Sequence, residues 1–281
     1  GNNLDAVEKL NALSRKICME HPAPETAMQW LEQVRSAIPY YGLFVSVLGH
    51  FLGALGYSLL FGCGATDMVM SGLCGILGGL LNRFMDKMKV NPFFETIFSA
   101  FSMALLAYGL NTHGLVQNVN SVVIGALMIL VPGLLFTNAM RDIIYGDTNS
   151  GITRFVQVLL ISMGMALGTA VAWNTSDLLW GMPHNLVELS NPLLVTAIGS
   201  LIGCIGFSIL FNIHGPGGLL CALGGVVTWV GFVLIQRLGA GEIFAYFAGA
   251  FFASVYAEVM ARIRKYPAIS YLVVSLFPLI P

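Results

Sequence analysis

The stretch Gly53-Ala54-Leu55-Gly56-Tyr57-Ser58-Leu59-Leu60-Phe61 recurs in kind 150 positions later as Gly203-Cys204-Ile205-Gly206-Phe207-Ser208-Ile209-Leu210-Phe211. Two more matches follow in the same order. Gly72–Gly79 (GLCGILGG) pairs with Gly218–Gly225 (GLLCALGG), and Ile129–Gly133 (ILVPG) pairs with Pro278–Pro281 (PLIP). Gly-rich apolar helices share a biased alphabet, but three collinear matches at a near-constant offset read as an internal duplication.

Composition says where these copies reside. Of 281 residues only 13 are Lys or Arg and 14 are Asp or Glu, so charged residues make up 10%, against about 25% in a soluble domain. Hydrophobic residues reach 57% and the mean hydropathy is +0.80, more apolar surface than one soluble core can hide. A lipid bilayer is the implied solvent. The net charge of −1 offers no basic excess for nucleic acid. The five cysteines (Cys18, Cys63, Cys74, Cys204, Cys221) form no metal-ligand spacing, so neither a metal nor a cofactor is expected. The first 20 residues carry scattered charges and no apolar signal core, and the chain opens on Gly1, so the start of the gene product is expected to be missing.

An ionised side chain at the bilayer centre costs about 2.5–3.5 kcal/mol, so charge-free runs of about 20 residues locate spans. The pattern predicts nine: 41–61, 66–82, 93–110, 120–140, 152–173, 191–211, 217–236, 242–261 and one beginning near Ile269. The second, which contains Asp67, is the weakest by composition. Residues 1–40 read as a cytoplasmic amphipathic helical lead-in, with Leu4, Val7, Leu10, Leu13 and Ile17 along one side and His21-Pro22-Ala23-Pro24 as a breaker. It is compatible with lying on the headgroups or packing under the bundle. A first five-helix module (41–175), an extracytoplasmic linker (176–190) and a second module (191–281) follow. With the N-terminus inside, twelve basic residues fall on one side and only Arg237 on the other, a positive-inside pattern that needs the doubtful second span.

Five spans separate equivalent points of the duplication. An odd number turns the second copy over, so the fold class is an all-α polytopic membrane protein built as an inverted-repeat transporter. Such proteins hold substrate near the midplane, where helices broken at matching places in both halves expose backbone groups. Pro132-Gly133 and Pro278/Pro281 are those breaks. Directly after the first, Asn138, Arg141 and Asp142 share a helical face. Arg141 suits a carboxylate, Asp142 an ammonium or a proton, and Asn138 either. Asp147 reads equally as site or as helix cap. His50, Glu95 and Glu258 are second-rank proton carriers, His50 reading more readily as a hydrogen-bonded packing residue because its repeat counterpart is Ser200. No nucleophile–base pair or metal cluster lies at membrane depth, so no enzyme is expected.

The run Pro132-Gly133…Asn138…Arg141-Asp142…Gly146-Asp147…Gly151, after Asn91-Pro92-Phe93, resembles the threonine/serine exporter family. Gly206–Asn212, Gly224-Gly225 and Tyr266-Pro267-Ala268…Pro278–Pro281 resemble its smaller module, which occurs fused or as a separate subunit. The resemblance implies a ten-span, proton-driven exporter of threonine and serine in the bacterial inner membrane, with Asn138, Arg141, Asp142 and Asp147 in its polar motif. Two-subunit relatives are associated with succinate. Set against that pattern, this chain is expected to be a fragment truncated at both ends, without the longer hydrophilic N-terminus and the tenth helix. The expected activity is therefore proton-coupled antiport of a small amino acid. A dicarboxylate exporter and a non-transporting membrane subunit are the alternatives, and a homo-oligomer is compatible with either.

Overall fold

The computed structural model describes residues 3–181 and 191–280; Pro281 and most of the expected linker lie outside them. A bilayer offers no water to an open backbone, so apolar stretches close their hydrogen bonds as helices. Two helices form the lead-in, α1 (Leu4–Glu20) and α2 (Pro24–Ser36). They part where His21 adopts a left-handed φ of 46° and Pro24 opens the next first turn. The Lys16 ammonium sits 3.8 Å over the Trp30 ring and ties them together. Of the two placements open to the lead-in, the structure has packing under the bundle. Leu4 is buried with Phe207 and Ile213, its amide donates to the Phe211 carbonyl at 3.0 Å, and Arg15 donates to the Lys265 carbonyl.

The membrane body runs α3 (Leu43–Leu60), α4 (Ala65–Lys87), α5 (Pro92–Thr112), α6 (Val119–Leu127) continued by the 3-10 turn Met128–Leu130, then α7 (Gly133–Ile144) and α8 (Thr148–Trp180). The second half repeats the first four: α9 (Leu193–Leu210), α10 (Pro216–Arg237), α11 (Glu242–Arg264), and α12 (Ala268–Leu276) continued by the 3-10 turn Phe277–Leu279. Seven of these helices are long and apolar enough to cross a membrane. The fourth expected span is the pair α6–α7, bent by 55°. The ninth is the short α12, which stops at its own turn. The protein is an all-α multi-pass membrane protein, and the Asp67-bearing span is a full helix.

The two halves match in detail. Helices α3 and α9 are both 18 residues long, and α6 and α12 are both 9, each ending in a three-residue 3-10 turn. Their central contact shows the inversion. A methyl added at Gly56 would overlap the backbone of Gly203, and one at Gly206 would overlap that of Gly53, while Gly49 faces Ile209. Positions rise along α3 as they fall along α9, so the helices are antiparallel. Gly53 and Gly56 exchange with Gly203 and Gly206 under a local twofold that lies across both axes, and that axis turns one half over. Without a hydrophobic force between helices in lipid, such backbone approach is what small residues permit. The ends of the pair are tied symmetrically. Asn191 donates to the carbonyls of Leu59 and Cys63, and Asn212 donates to Pro39 while accepting from the Tyr41 amide.

One feature departs from the sequence reading and a second refines it. Helix α8 extends to Trp180 rather than ending near residue 173. Its late polar residues bond their own helix, Asn174 to Ala170 and Thr175 to Val171. At 33 residues it is about 50 Å long, so its ends project past the roughly 30 Å hydrocarbon core. Asp67, 1% exposed, is not a span residue facing lipid. It lies in the first turn of α4 and accepts from the amides of Gln117 (2.8 Å) and Asn118 (3.1 Å). Its carboxylate thereby pins the loop that launches α6, and the α4 N-terminus favours the charge. Ser71, also buried, shares its hydroxyl between the Ala54 and Val122 carbonyls and joins α3, α4 and α6.

Gly206→Val should separate α3 from α9 and cost at least the roughly 1–3 kcal/mol of an overpacked core, read as a lowered melting temperature of detergent-extracted protein. Gly56→Val should behave alike, whereas Gly42→Ala, with open space around it, should be near neutral. Equal stability of all three would contradict the contact.

Candidate functional site

A group of polar side chains lines a cavity of about 410 Å³, which opens on the basic face where the two halves meet. Helix α3 contributes Ser46 and His50, α4 contributes Asn82, Arg83 and Asp86, and α5 contributes Glu95. Tyr41 and Asn212 line the far wall, and Ile129 lies at the depth of the first helix break.

Each side chain is positioned by local structure. His50 fits because α4 presents Gly79, where an added methyl would lie 2.5 Å from the imidazole. Its Nδ1 is 2.7 Å from the Ser46 carbonyl, an oxygen that only accepts, so Nδ1 carries the hydrogen and Nε2 is the basic nitrogen. Ser99 donates to Asn82 Oδ1 at 2.5 Å, which fixes the amide and leaves its NH2 as donor. Glu95 sits in the first turn of α5, after the Asn91 cap and Pro92. Across the cavity, Tyr41 donates its hydroxyl to the Ile213 carbonyl and stacks on His214 at 4.0 Å. The lining thus holds one guanidinium, two carboxylates, an imidazole and the amides of Asn3, Asn82 and Asn212.

The helix breaks also meet. Gly133 opens α7 beside Phe277 and Ile280, with 3.2 Å between an added methyl and Ile280. Pro278 packs against the position of Gly225. Gly133 therefore lies against the second half's break, and Ile129, one turn earlier, lines the cavity.

The residues following the first break are placed differently. Arg141 is exposed and lies over the Tyr145 ring, and it does not contact Asp142's carboxylate among the described ion pairs. Asp142 pairs instead with Arg154 of α8 at 2.7 Å, joining α7 to α8. Asn138 is half-buried. Asp147 is the N-cap of α8, accepting from the Ser150 amide. None of the four lines the basic-face cavity. Glu258 is exposed and paired with Arg262 one turn on. Of the residues singled out from the sequence, His50 and Glu95 are brought together. Sequence reasoning missed Ser46, Asn82, Arg83 and Asp86, with Arg83 counted only as a marker of sidedness. A signal was present: at the offset of 150 the polar Asn82, Arg83 and Asp86 stand against Phe232, Val233 and Gln236, an asymmetry that packing alone does not require.

Residues 1–176 match the ThrE family profile for threonine/serine exporters, and residues 196–281 match a second one, "Threonine/Serine exporter, ThrE". The chain belongs to the threonine/serine exporter family. A relative from Corynebacterium glutamicum, "Threonine/serine exporter", is 23% identical over 181 residues, or 63% of this chain. The chain spans 37% of that relative's length. No solved structure matches it. The first profile ends inside α8 and the second begins inside α9.

The Asp142–Arg154 pair sits partly in solvent, so replacing Asp142 with Ala should cost about 1 kcal/mol or less of stability. The double change Asp142→Arg with Arg154→Asp should restore the melting temperature. A transport defect that the exchange also repairs would mark the pair as a tie between α7 and α8; a defect that persists would mark Asp142 itself as part of the path.

Proposed function

We propose that this chain carries a small zwitterionic amino acid, threonine or serine, outward across the bacterial inner membrane in exchange for protons, with the N-terminus and the basic face cytoplasmic. The observation that supports it best is the mixed charge of the cavity between the inverted halves. Arg83 suits a carboxylate, Asp86 and Glu95 suit an ammonium, and Asn82 and Ser46 supply hydrogen-bond partners for a hydroxyl. Two carboxylates against one guanidinium favour a zwitterion over a dianion such as succinate, which would face net repulsion. His50 and Glu95 are the proton carriers in this reading. Both line the cavity, whereas Asp142 is occupied by Arg154 and Arg141 faces away. Inversion supplies the two access states, since rocking one half against the other closes one face as it opens the other.

In cells producing the protein, efflux of labelled threonine should stop when a protonophore collapses the gradient, and excess serine should compete while succinate does not. Arg83→Ala and Glu95→Gln should each reduce efflux at least tenfold without loss of protein from the membrane. Succinate competing as well as serine would overturn the substrate class, and efflux indifferent to the protonophore would overturn the coupling.

A further inference from the structure

The twofold that exchanges α3 with α9 places a second polar cavity, of about 480 Å³, at the opposite face. The structure sets α4 against α10 at an offset of 150, one helical turn from the sequence match of Gly72–Gly79 with Gly218–Gly225, since Gly75 faces Ala54 and Ile129 as Gly225 faces Cys204 and Pro278. The walls of the second cavity are then the counterparts of the first: Thr196 for Ser46, Asn191 for Tyr41, Trp229 for Gly79, Gln236 for Asp86, with Leu60 and Gly62 for Leu210 and Asn212. The two differ in depth. The basic-face cavity reaches His50 and Ile129, while the opposite one ends at Thr196 and Trp229 and includes neither Ser200 nor Pro278, the equivalents of those residues. The reason is an exchange of bulk between facing helices. On the basic face the ring comes from α3 and the glycine from α4, as His50 and Gly79. On the other face the small residue is on α9, as Ser200, and the ring is on α10, as Trp229. That indole donates from Nε1 to the Thr196 hydroxyl at 2.9 Å, bolting α10 to α9 across the cavity floor. One helical turn deeper on α9, on the inner side of the bolt, Ser200 is fully buried beside the Cys204 thiol.

We infer that the opposite-face cavity is the exit half of the transport path and that the Trp229–Thr196 hydrogen bond is its closed gate. The inference rests on the transport reading above but not on which solute is moved. With the gate shut and the basic-face cavity open to His50, the structure is the inward-facing state. Opening requires the indole to leave Thr196 and uncover Ser200, which brings the exit cavity to the depth that its twin already has. One neutral hydrogen bond shifts such an equilibrium by about two- to tenfold, enough to bias the resting state while leaving it easily reversed.

Accessibility of Ser200→Cys to a membrane-impermeant maleimide, added from the Arg237 face, tests this. Exposed Cys18 is replaced by Ser; the other four cysteines are buried. Cys63, in the loop whose carbonyl accepts from Asn191, has its thiol pushed up to about 11, chiefly by burial, and so stays protonated and slow to react. Each gate variant is also measured without Ser200→Cys as background. Ser200→Cys should label slowly with Trp229 intact. Trp229→Phe and Thr196→Val should raise labelling by about two- to tenfold, and Trp229→Ala by more. Rapid labelling with the gate intact, or no rise in a Trp229→Ala protein that still extracts as a folded, monodisperse species, would overturn the proposal. If labelling responds as expected while threonine efflux is absent, the gate stands and the substrate reading falls.

Discussion

The close approach of α3 and α9 is the constraint on which the rest of the molecule depends. In lipid, two apolar helices gain little by exchanging hydrocarbon for each other, so association relies on shape and on backbone contact. Gly56 against Gly203 and Gly206 against Gly53 provide both, and the reciprocity of the two contacts generates the twofold. Once that axis is set, the remaining elements have little freedom. Helices α4 and α10 flank the central pair, α6 and α12 enter from opposite faces to the same depth, and cavities must open at both ends of the pair because each end has the same backbone shape.

Symmetry of backbone with asymmetry of side chain is how this scaffold separates two tasks. Equivalent positions hold ionisable and amide groups on the basic face, and aromatic or aliphatic groups on the other, at Asn82 against Phe232 and Arg83 against Val233. The exchange of His50 and Gly79 for Ser200 and Trp229 conserves the sum of bulk at each end while moving it from one helix to its neighbour. The loop anchors differ as well. Asp67 holds the approach to α6 through two loop amides, while its counterpart Gly217 has no side chain with which to do so. Helix α8 packs on α5 and α7 of the first half, while α7 also meets the break of the second half at Phe277 and Ile280.

Much of this architecture is legible in the sequence because lipid imposes simple rules. Charge-free length marks each span, and the offset between Gly53–Phe61 and Gly203–Phe211 exposes the inversion through nothing more than an odd number of crossings. The site was harder to read for a physical reason. A dense polar run such as Asn138–Asp147 attracts notice, yet its carboxylates are taken up by neighbouring structure, Asp142 by Arg154 and Asp147 by the Ser150 amide. The cavity residues are scattered over three helices, and each alone resembles an ordinary helix-end charge. Only the fold brings Arg83, Asp86 and Glu95 to one wall. Asp67 misleads in the other direction: a lone carboxylate in an apolar run argues against a span until loop amides from 50 residues away are seen to neutralise its burial.

The meeting of the two broken helices has a mechanical meaning. Gly133 faces the hydrocarbon side chains of Phe277 and Ile280, and each carbon–carbon contact contributes only about 0.1–0.2 kcal/mol, below thermal energy. A hydrogen-bonded joint at that depth would have to break without water to replace it. Tips that meet through smooth apolar surfaces slide past one another with no such penalty, so the midplane acts as a lubricated bearing, and the resistance that times each stroke is left to the polar latches nearer the two faces.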